Sequence, residues 1–157
     1  PNAAASAHDV ILDCLEEPDI SIRNQTIHLL TMMVTSENVK SLIDGFLLKA
    51  QEESKQNGTG GTYRDALVLG ILNMAQKETY GLITDFEWYI GILLELSKLE
   101  RIDQGERIAF QLKDIFVRVE FVRNISINNV IELIKTNLIT SDNHLDALGK
   151  QKLKTFL

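Results

Sequence analysis

Val39-Lys40-Ser41-Leu42-Ile43-Asp44-Gly45-Phe46-Leu47-Leu48-Lys49-Ala50 is the stretch whose reading decides the fold class. Val39, Leu42, Ile43, Phe46, Leu47 and Ala50 recur at steps of three and four, the spacing that lines up side chains along one face of a helix. Ser36 stands ahead of them as a candidate cap, its oxygen able to accept from an unpaired backbone N–H of the first turn. The same spacing returns in Ile108, Leu112, Ile115, Phe116, Val119 and Val122. It returns again in Ile127, Val130, Ile131, Ile134 and Leu138, behind Asn124 or Ser126 as caps. No stretch shows sustained alternation bounded by hairpin turns, so the chain is expected to be all-α.

The breaks between helices are short. Glu17-Pro18-Asp19 closes a first helix over about 8–16, because proline disfavours helix in the residue before it. Asp19 or Ser21 then caps a second helix over about 21–35. A third runs to about Lys55, followed by a flexible loop at 56–62 that contains Asn57-Gly58-Thr59-Gly60-Gly61-Thr62. The fourth covers about 63–77. Thr84 or Asp85 caps a fifth that reaches about Leu99, and Arg101-Ile102-Asp103 separates it from the sixth. A seventh begins after Arg123-Asn124, and Asp142 or Asn143 opens a weaker last one.

Short connections force consecutive helices to pack antiparallel. Paired off, they fall at about the 40-residue period of helical-hairpin repeats of the HEAT and armadillo kind. Pro18-Asp19-Ile20-Ser21-Ile22-Arg23, with Ile27 and Leu30 after it, resembles the turn and second helix of a HEAT unit. A closed four-helix bundle also fits the periodicity. The count of about eight helices favours an α-solenoid of antiparallel helical hairpins. All 157 residues then form a single helical-repeat segment of a larger solenoid, whose uncovered ends favour self-association. Phe86, Trp88, Tyr89, Ile90, Ile92, Leu93, Leu94, Leu96 and Leu99 make the fifth helix apolar nearly all round, as for a helix covered on more than one side. The competing reading makes Trp88 or Tyr89 an exposed aromatic contact for a partner.

Composition narrows the function classes. Apolar residues make up 45% of the chain, enough to bury a core and to exclude wholesale disorder. A formal charge of -6 argues against a general nucleic-acid binder. One cysteine, Cys14, permits no internal disulfide and no cysteine-based zinc site, and fits a reducing, cytosolic compartment. In that compartment the N-x-Ser/Thr matches at Asn24, Asn57 and Asn124 carry no meaning. Pro1 to Ala7 lack the regions of a signal peptide, and charges interrupt every apolar run before it could span a bilayer.

The residue types that carry chemistry are scattered. His8, His28 and His144 have no companion at metal-ligand spacing, and His28, beside Ile27, Leu29 and Leu30, reads as a core or boundary histidine. Cys14 lies among Val10, Ile11 and Leu15 and reads as a small core residue. Gly58-Thr59-Gly60-Gly61 lacks the Gly-Lys-Ser/Thr and the preceding strand of a phosphate loop. Glu16, Glu17, Asp19, Glu52 and Glu53 sit where carboxylates solvate a surface or help helix ends. Lys150, Lys152 and Lys154 form a small basic cluster open to anionic lipid or an acidic partner, or simply to water. No catalytic, cofactor or metal site is expected, and the protein-interaction residues are left unassigned.

Thr62-Tyr63-Arg64-Asp65 and Ile83-Thr84-Asp85-Phe86-Glu87-Trp88-Tyr89-Ile90 go beyond a generic helical repeat. Leu93, Glu95-Leu96 and Leu99-Glu100 follow the second string. With Asp19-Ile20-Ser21-Ile22-Arg23 and Ser36-Glu37-Asn38-Val39, they resemble the trunk of adaptin large subunits, and the delta type of adaptor protein complex 3 in particular. The resemblance covers about 10–134, and the loop over 51–61 is longer than that family leads one to expect. It implies a curved helical solenoid that cradles smaller subunits within a heterotetramer of beta-type large, mu and sigma partners. It further implies vesicle-coat cargo sorting from Golgi or endosomal membranes to lysosome or vacuole. Membrane attachment would be peripheral, with an Arf-type GTPase and lipid headgroups taking part, and with no cofactor, small-molecule substrate or nucleic acid. The alternative is a helical-repeat scaffold of another coat or of a nuclear transport protein. A third class, an enzyme in a helical bundle, requires a closed pocket with converging polar groups.

Overall fold

A computed structural model of the chain describes residues 13–55, 61–99, 102–122 and 131. Its helices are α1 (Ile20–Met32), α2 (Val39–Lys55), α3 (Gly61–Gln76), α4 (Phe86–Ser97) and α5 (Gly105–Arg118), with 3-10 turns at Cys14–Glu16 and Lys77–Thr79. No strand occurs among the described residues. The chain divides into two compact units, Pro1–Arg118 and Val119–Leu157, and all five helices belong to the first. In the second, residues 119–122 and Ile131 are described; Ile131, which periodicity places on a buried face, is 42% exposed. Most of the first expected helix and the remainder of the last two lie outside the described residues.

Local chemistry sets the helix ends. The Asp19 carboxylate accepts from the Ser21 N–H at 2.7 Å, which makes Asp19 rather than Ser21 the cap of α1. The Asp85 carboxylate accepts from the Trp88 N–H at 2.9 Å and caps α4 in place of Thr84. Ahead of α2 the organising side chain is Asn38. Its carboxamide accepts from the Thr35 N–H at 2.7 Å and donates to the Met33 carbonyl at 3.2 Å, so one residue serves the end of α1 and the approach to α2. Gly61 and Thr62, expected in the loop, form the first turn of α3; residues 56–60 lie outside the described set.

The packing register reveals the architecture. Arg23 stands over the Tyr63 ring, 4.3 Å from its centroid. Ile27 lies against Gly70, and the Lys77 ammonium donates to the Met32 carbonyl at 3.3 Å. Positions on α1 and on the α3 segment rise together, so the two run parallel. By the same logic α2 and α4 are parallel: Lys40 meets Asp85 at 3.9 Å, and the Asp44 carboxylate accepts from the Trp88 indole at 3.1 Å. Asp65 lies beside Asp103, and Tyr80 beside Asp114, so α5 follows the direction of α3. The start of α1 meets both the end of α2, through Arg23 and Glu53 at 3.7 Å, and the start of α3, through Tyr63. Helix α2 therefore runs opposite to α1 and α3. The result is two layers, α1–α3–α5 and α2–α4, stacked as antiparallel hairpins.

The ties between like-directed helices join residues 45, 44, 39 and 34 positions apart, which is the repeat period written in hydrogen bonds. One expectation changes in emphasis. Short connections favour contact between neighbours in sequence, yet α1 packs chiefly on α3 and only marginally on α2.

Helix α3 is the most enclosed element. Tyr63, Leu67, Val68, Ile71, Leu72, Met74 and Ala75 are all buried along it, and it packs most on α2, whose Leu42, Ile43, Phe46 and Ala50 are buried too. Gly70 makes that closeness possible: a β carbon there would lie 2.8 Å from Cε2 of Phe46 and 3.2 Å from Cγ2 of Ile27. The apolar α4 buries Tyr89, Ile90, Ile92, Leu93 and Leu96, and leaves Phe86, Trp88 and Leu94 half-buried.

Candidate interaction surface

Several polar side chains of the unit tie one repeat to the next. The Tyr63 hydroxyl donates to the Leu15 carbonyl at 3.1 Å while its ring carries Arg23. Burial pushes its pKa up to about 12, Glu53 and Glu16 add to that, and Arg23 opposes it. Lys49 binds both Glu16 and Glu52. Its burial works to lower the pKa, but the two carboxylates outweigh that and raise it. In the deepest tie, the Tyr89 hydroxyl donates to Oε1 of Gln111, whose Nε2 donates to the Leu72 carbonyl at 3.0 Å. A buried glutamine thus joins α3, α4 and α5, and burial drives the Tyr89 pKa well above the ordinary phenol value.

Residues singled out from sequence fall accordingly. Glu16, Glu52 and Glu53 are partners of Lys49 and Arg23, and Asp19 is a cap. His28, expected in the core or at its boundary, is exposed on α1, because the core-facing arc of that helix is taken by Thr26, Ile27 and Leu30. Cys14 is half-buried in its 3-10 turn rather than sealed in the core. Tyr89 is wholly buried, so it is packing and not an exposed contact. Trp88 is half-buried, with the Lys40 ammonium 5.2 Å from its ring and its indole tied to Asp44. His8, His144, residues 58–60 and Lys150, Lys152 and Lys154 lie outside the described residues. Among the described residues no group of three or more His, Cys, Asp or Glu is placed to hold a metal ion. No helix among them is long and apolar enough to cross a membrane.

What the unit offers to other molecules is apolar surface on the outer faces of its helices. Ile22 and Leu29 along an edge of α1 and Met33 at its C-cap follow one another at steps of seven and four and are 44%, 51% and 52% exposed. Met32 beside them is 63% exposed. On α2, Leu48 points outward; on α5, Phe110 and Val117 lie a heptad apart and are both exposed. Large apolar side chains grouped along one helix edge are a feature of protein-binding surfaces. A shallow depression between the end of α3 and α5, lined by Gln76, Glu106, Arg107 and Phe110, adds relief to the same layer. Periodicity could not reveal the α1 edge, since Leu29 and Leu30 look alike in sequence.

Residues 1–148 match the family described as the adaptin N terminal region. The AP-3 complex subunit delta of Dictyostelium discoideum is 35% identical over 142 residues, covering 90% of this chain and 12% of that protein. AP-3 complex subunit delta-1 of Bos taurus is 34% identical over 134 residues, 85% of this chain and 11% of that protein. The AP-3 complex subunit delta of Schizosaccharomyces pombe is 30% identical over 128 residues, 82% of this chain and 15% of that protein. The chain therefore spans between 11% and 15% of the length of these relatives.

Proposed function

Because this chain belongs to the adaptin N-terminal-region family, we propose that it is a segment of the helical scaffold of a delta-type large subunit in a heterotetrameric vesicle-coat adaptor. In this reading the segment does no chemistry of its own. It contributes a stiff stack of helices on which the beta-type large, mu and sigma subunits assemble. The whole complex sorts cargo from Golgi or endosomal membranes towards lysosome or vacuole. It sits peripherally on those membranes, with an Arf-type GTPase among its contacts.

The observation that carries this reading is identity with delta subunits running through about nine-tenths of the chain, on a frame of stacked hairpins tied at one-repeat spacing. The frame suits the role, since a scaffold must hold distant contacts at fixed distances, and each repeat here is bonded to the next as well as packed on it. The test is affinity capture of the tagged full-length parent from its own cells, followed by mass spectrometry. Recovery of a beta-type, a mu and a sigma subunit in one complex is expected. Capture that brings down neither a mu nor a sigma subunit overturns the proposal.

A further inference from the structure

The segment between α3 and α4 departs from ordinary backbone. Glu78, Thr79 and Tyr80 have φ of 54°, 57° and 65°, three consecutive non-glycine residues in the left-handed region. A β carbon crowds the following carbonyl there, and for a β-branched residue such as Thr79 the conformation is an outlier. Such strain persists only where the surroundings over-determine it.

Two anchors do so. Upstream, the Lys77 ammonium donates to the Met32 and Val34 carbonyls, 3.3 Å each, where α1 ends. Downstream, Tyr80 is 4% exposed, edge-on to Phe86 with ring centroids 6.4 Å apart and beside Tyr89 at 6.5 Å, with Asp114 of α5 near its hydroxyl. Lys77 thus grips the preceding part of the stack, and Tyr80 grips the following hairpin. Only Glu78 and Thr79 lie between them, and both are exposed. The turn closes through Gly81 N–H to the Glu78 carbonyl at 3.1 Å and Ile83 N–H to the Tyr80 carbonyl at 3.0 Å. A β carbon on Gly81 would come within 3.0 Å of the Glu78 carbonyl oxygen.

We propose that Lys77–Tyr80 is a strained joint between successive hairpins, which fixes their angle while Tyr80 is seated and frees it when Tyr80 leaves. Burial of the Tyr80 ring holds the joint shut, and the left-handed backbone pulls it open. The two oppose each other at one residue, so a modest change around Tyr80 moves the balance. The joint is internal to Pro1–Arg118 and does not depend on which partners the chain has.

Hydrogen exchange on the 157-residue chain tests this. The Gly81 and Ile83 amides should exchange faster than those of the buried Leu67–Ala75 stretch. Glu78→Gly with Thr79→Gly removes the steric strain of the seated form and leaves both side-chain anchors in place. Glycine's freedom in the open form works against this, so the net expectation is roughly tenfold slower exchange at Gly81 and Ile83. Tyr80→Ala should speed the same amides. It should also widen the distance distribution between spin labels at Gln25 of α1 and Lys113 of α5, with Cys14 replaced by serine. Unchanged or faster exchange in the glycine pair overturns the proposal. So does an unaltered distance distribution in a folded Tyr80→Ala chain. If Tyr80→Ala does not fold, the glycine pair decides alone.

Discussion

Gln111 offers the sharpest test of how this stack is held together. Its carboxamide is 1% exposed and the Tyr89 side chain is fully buried, so neither can turn to water when its partner is lost. Replacing Gln111 by leucine, of similar size, strands the Tyr89 hydroxyl, and a stranded buried polar group costs about 1–3 kcal/mol. The Leu72 carbonyl lies inside α3, where its helical bond remains. Tyr89→Phe strands Oε1 of Gln111 and leaves the bond to Leu72, for about 1–2 kcal/mol. If the two single changes were independent, the double variant would lose about 4 kcal/mol. The structure predicts otherwise, because the double variant strands nothing: an apolar pair of nearly the original shape fills the same space, and the loss should be about 1 kcal/mol. The resulting coupling, about 2–3 kcal/mol, is at the upper end for contacting residues. Urea unfolding followed by circular dichroism measures all four corners of the cycle. A double variant that loses the sum of the singles would refute the bridge, and so would a neutral Gln111→Leu.

Four further outcomes follow from particular contacts. Gly70→Ala gains about 1 kcal/mol of helix propensity but drives a β carbon into the buried Phe46 ring, an overpacking cost of about 1–3 kcal/mol; thermal unfolding should show net loss, rescued when Phe46 is also reduced to leucine. The chain has three tyrosines, and burial raises all of them, Tyr63 and Tyr80 to about 12 and Tyr89 well above the usual value. The folded state then keeps protons that the unfolded chain releases near pH 10, so stability falls as pH rises above about 10, and phenolate absorbance should grow together with helix loss rather than as an earlier step. Asp65 is raised by burial first and by Asp103 next, so its ionised form subtracts stability at neutral pH and the penalty lifts as pH falls through its folded value towards the unfolded one. Asp65→Asn should therefore stabilise the chain at pH 7, and the gain should vanish below about pH 4. Asp85→Ala removes the α4 cap and should cost about 1 kcal/mol in chemical denaturation, nearly all from the Trp88 N–H, since the exposed contact with Lys40 contributes little.

Sequence carried the helices because their causes are local. Asp19 and Asp85 cap within three residues of themselves, and Val39, Leu42, Ile43, Phe46 and Ala50 are buried as their spacing requires. What stayed hidden depends on distant partners. Gln111 reads as a surface residue until Tyr89, 22 positions away, and Leu72, 39 away, are brought to it. Leu29 and Leu30 are indistinguishable locally, yet one is 51% and the other 1% exposed, since only the position of α3 decides which faces the core. The left-handed turn at Glu78–Tyr80 had no glycine or asparagine to mark it. The candidate interaction surface was equally illegible: an exposed apolar edge is defined by what fails to cover it.

The strings that carry the family resemblance turn out to have a shared physical role. In Thr62-Tyr63-Arg64-Asp65, Tyr63 bonds the Leu15 carbonyl and carries Arg23 on its ring. In Ile83-Thr84-Asp85-Phe86-Glu87-Trp88-Tyr89-Ile90, Asp85 caps α4, Trp88 bonds Asp44 of the previous hairpin, and Tyr89 bonds Gln111 of its own. Arg23, near the start of α1, completes the set through Glu53. These are mostly couplings between helices, polar and directional, and each needs one residue type at one place. Generic aliphatic positions tolerate exchange of shape for shape, whereas a hydroxyl or indole aimed at a single acceptor does not. The strings thus hold internal ties of the stack rather than an exposed contact surface. Their bonding side chains tie one helix to the next, whereas the candidate contact residues, the α1 edge of Ile22, Leu29 and Met33 foremost, are ordinary aliphatics distinguished only by their exposure.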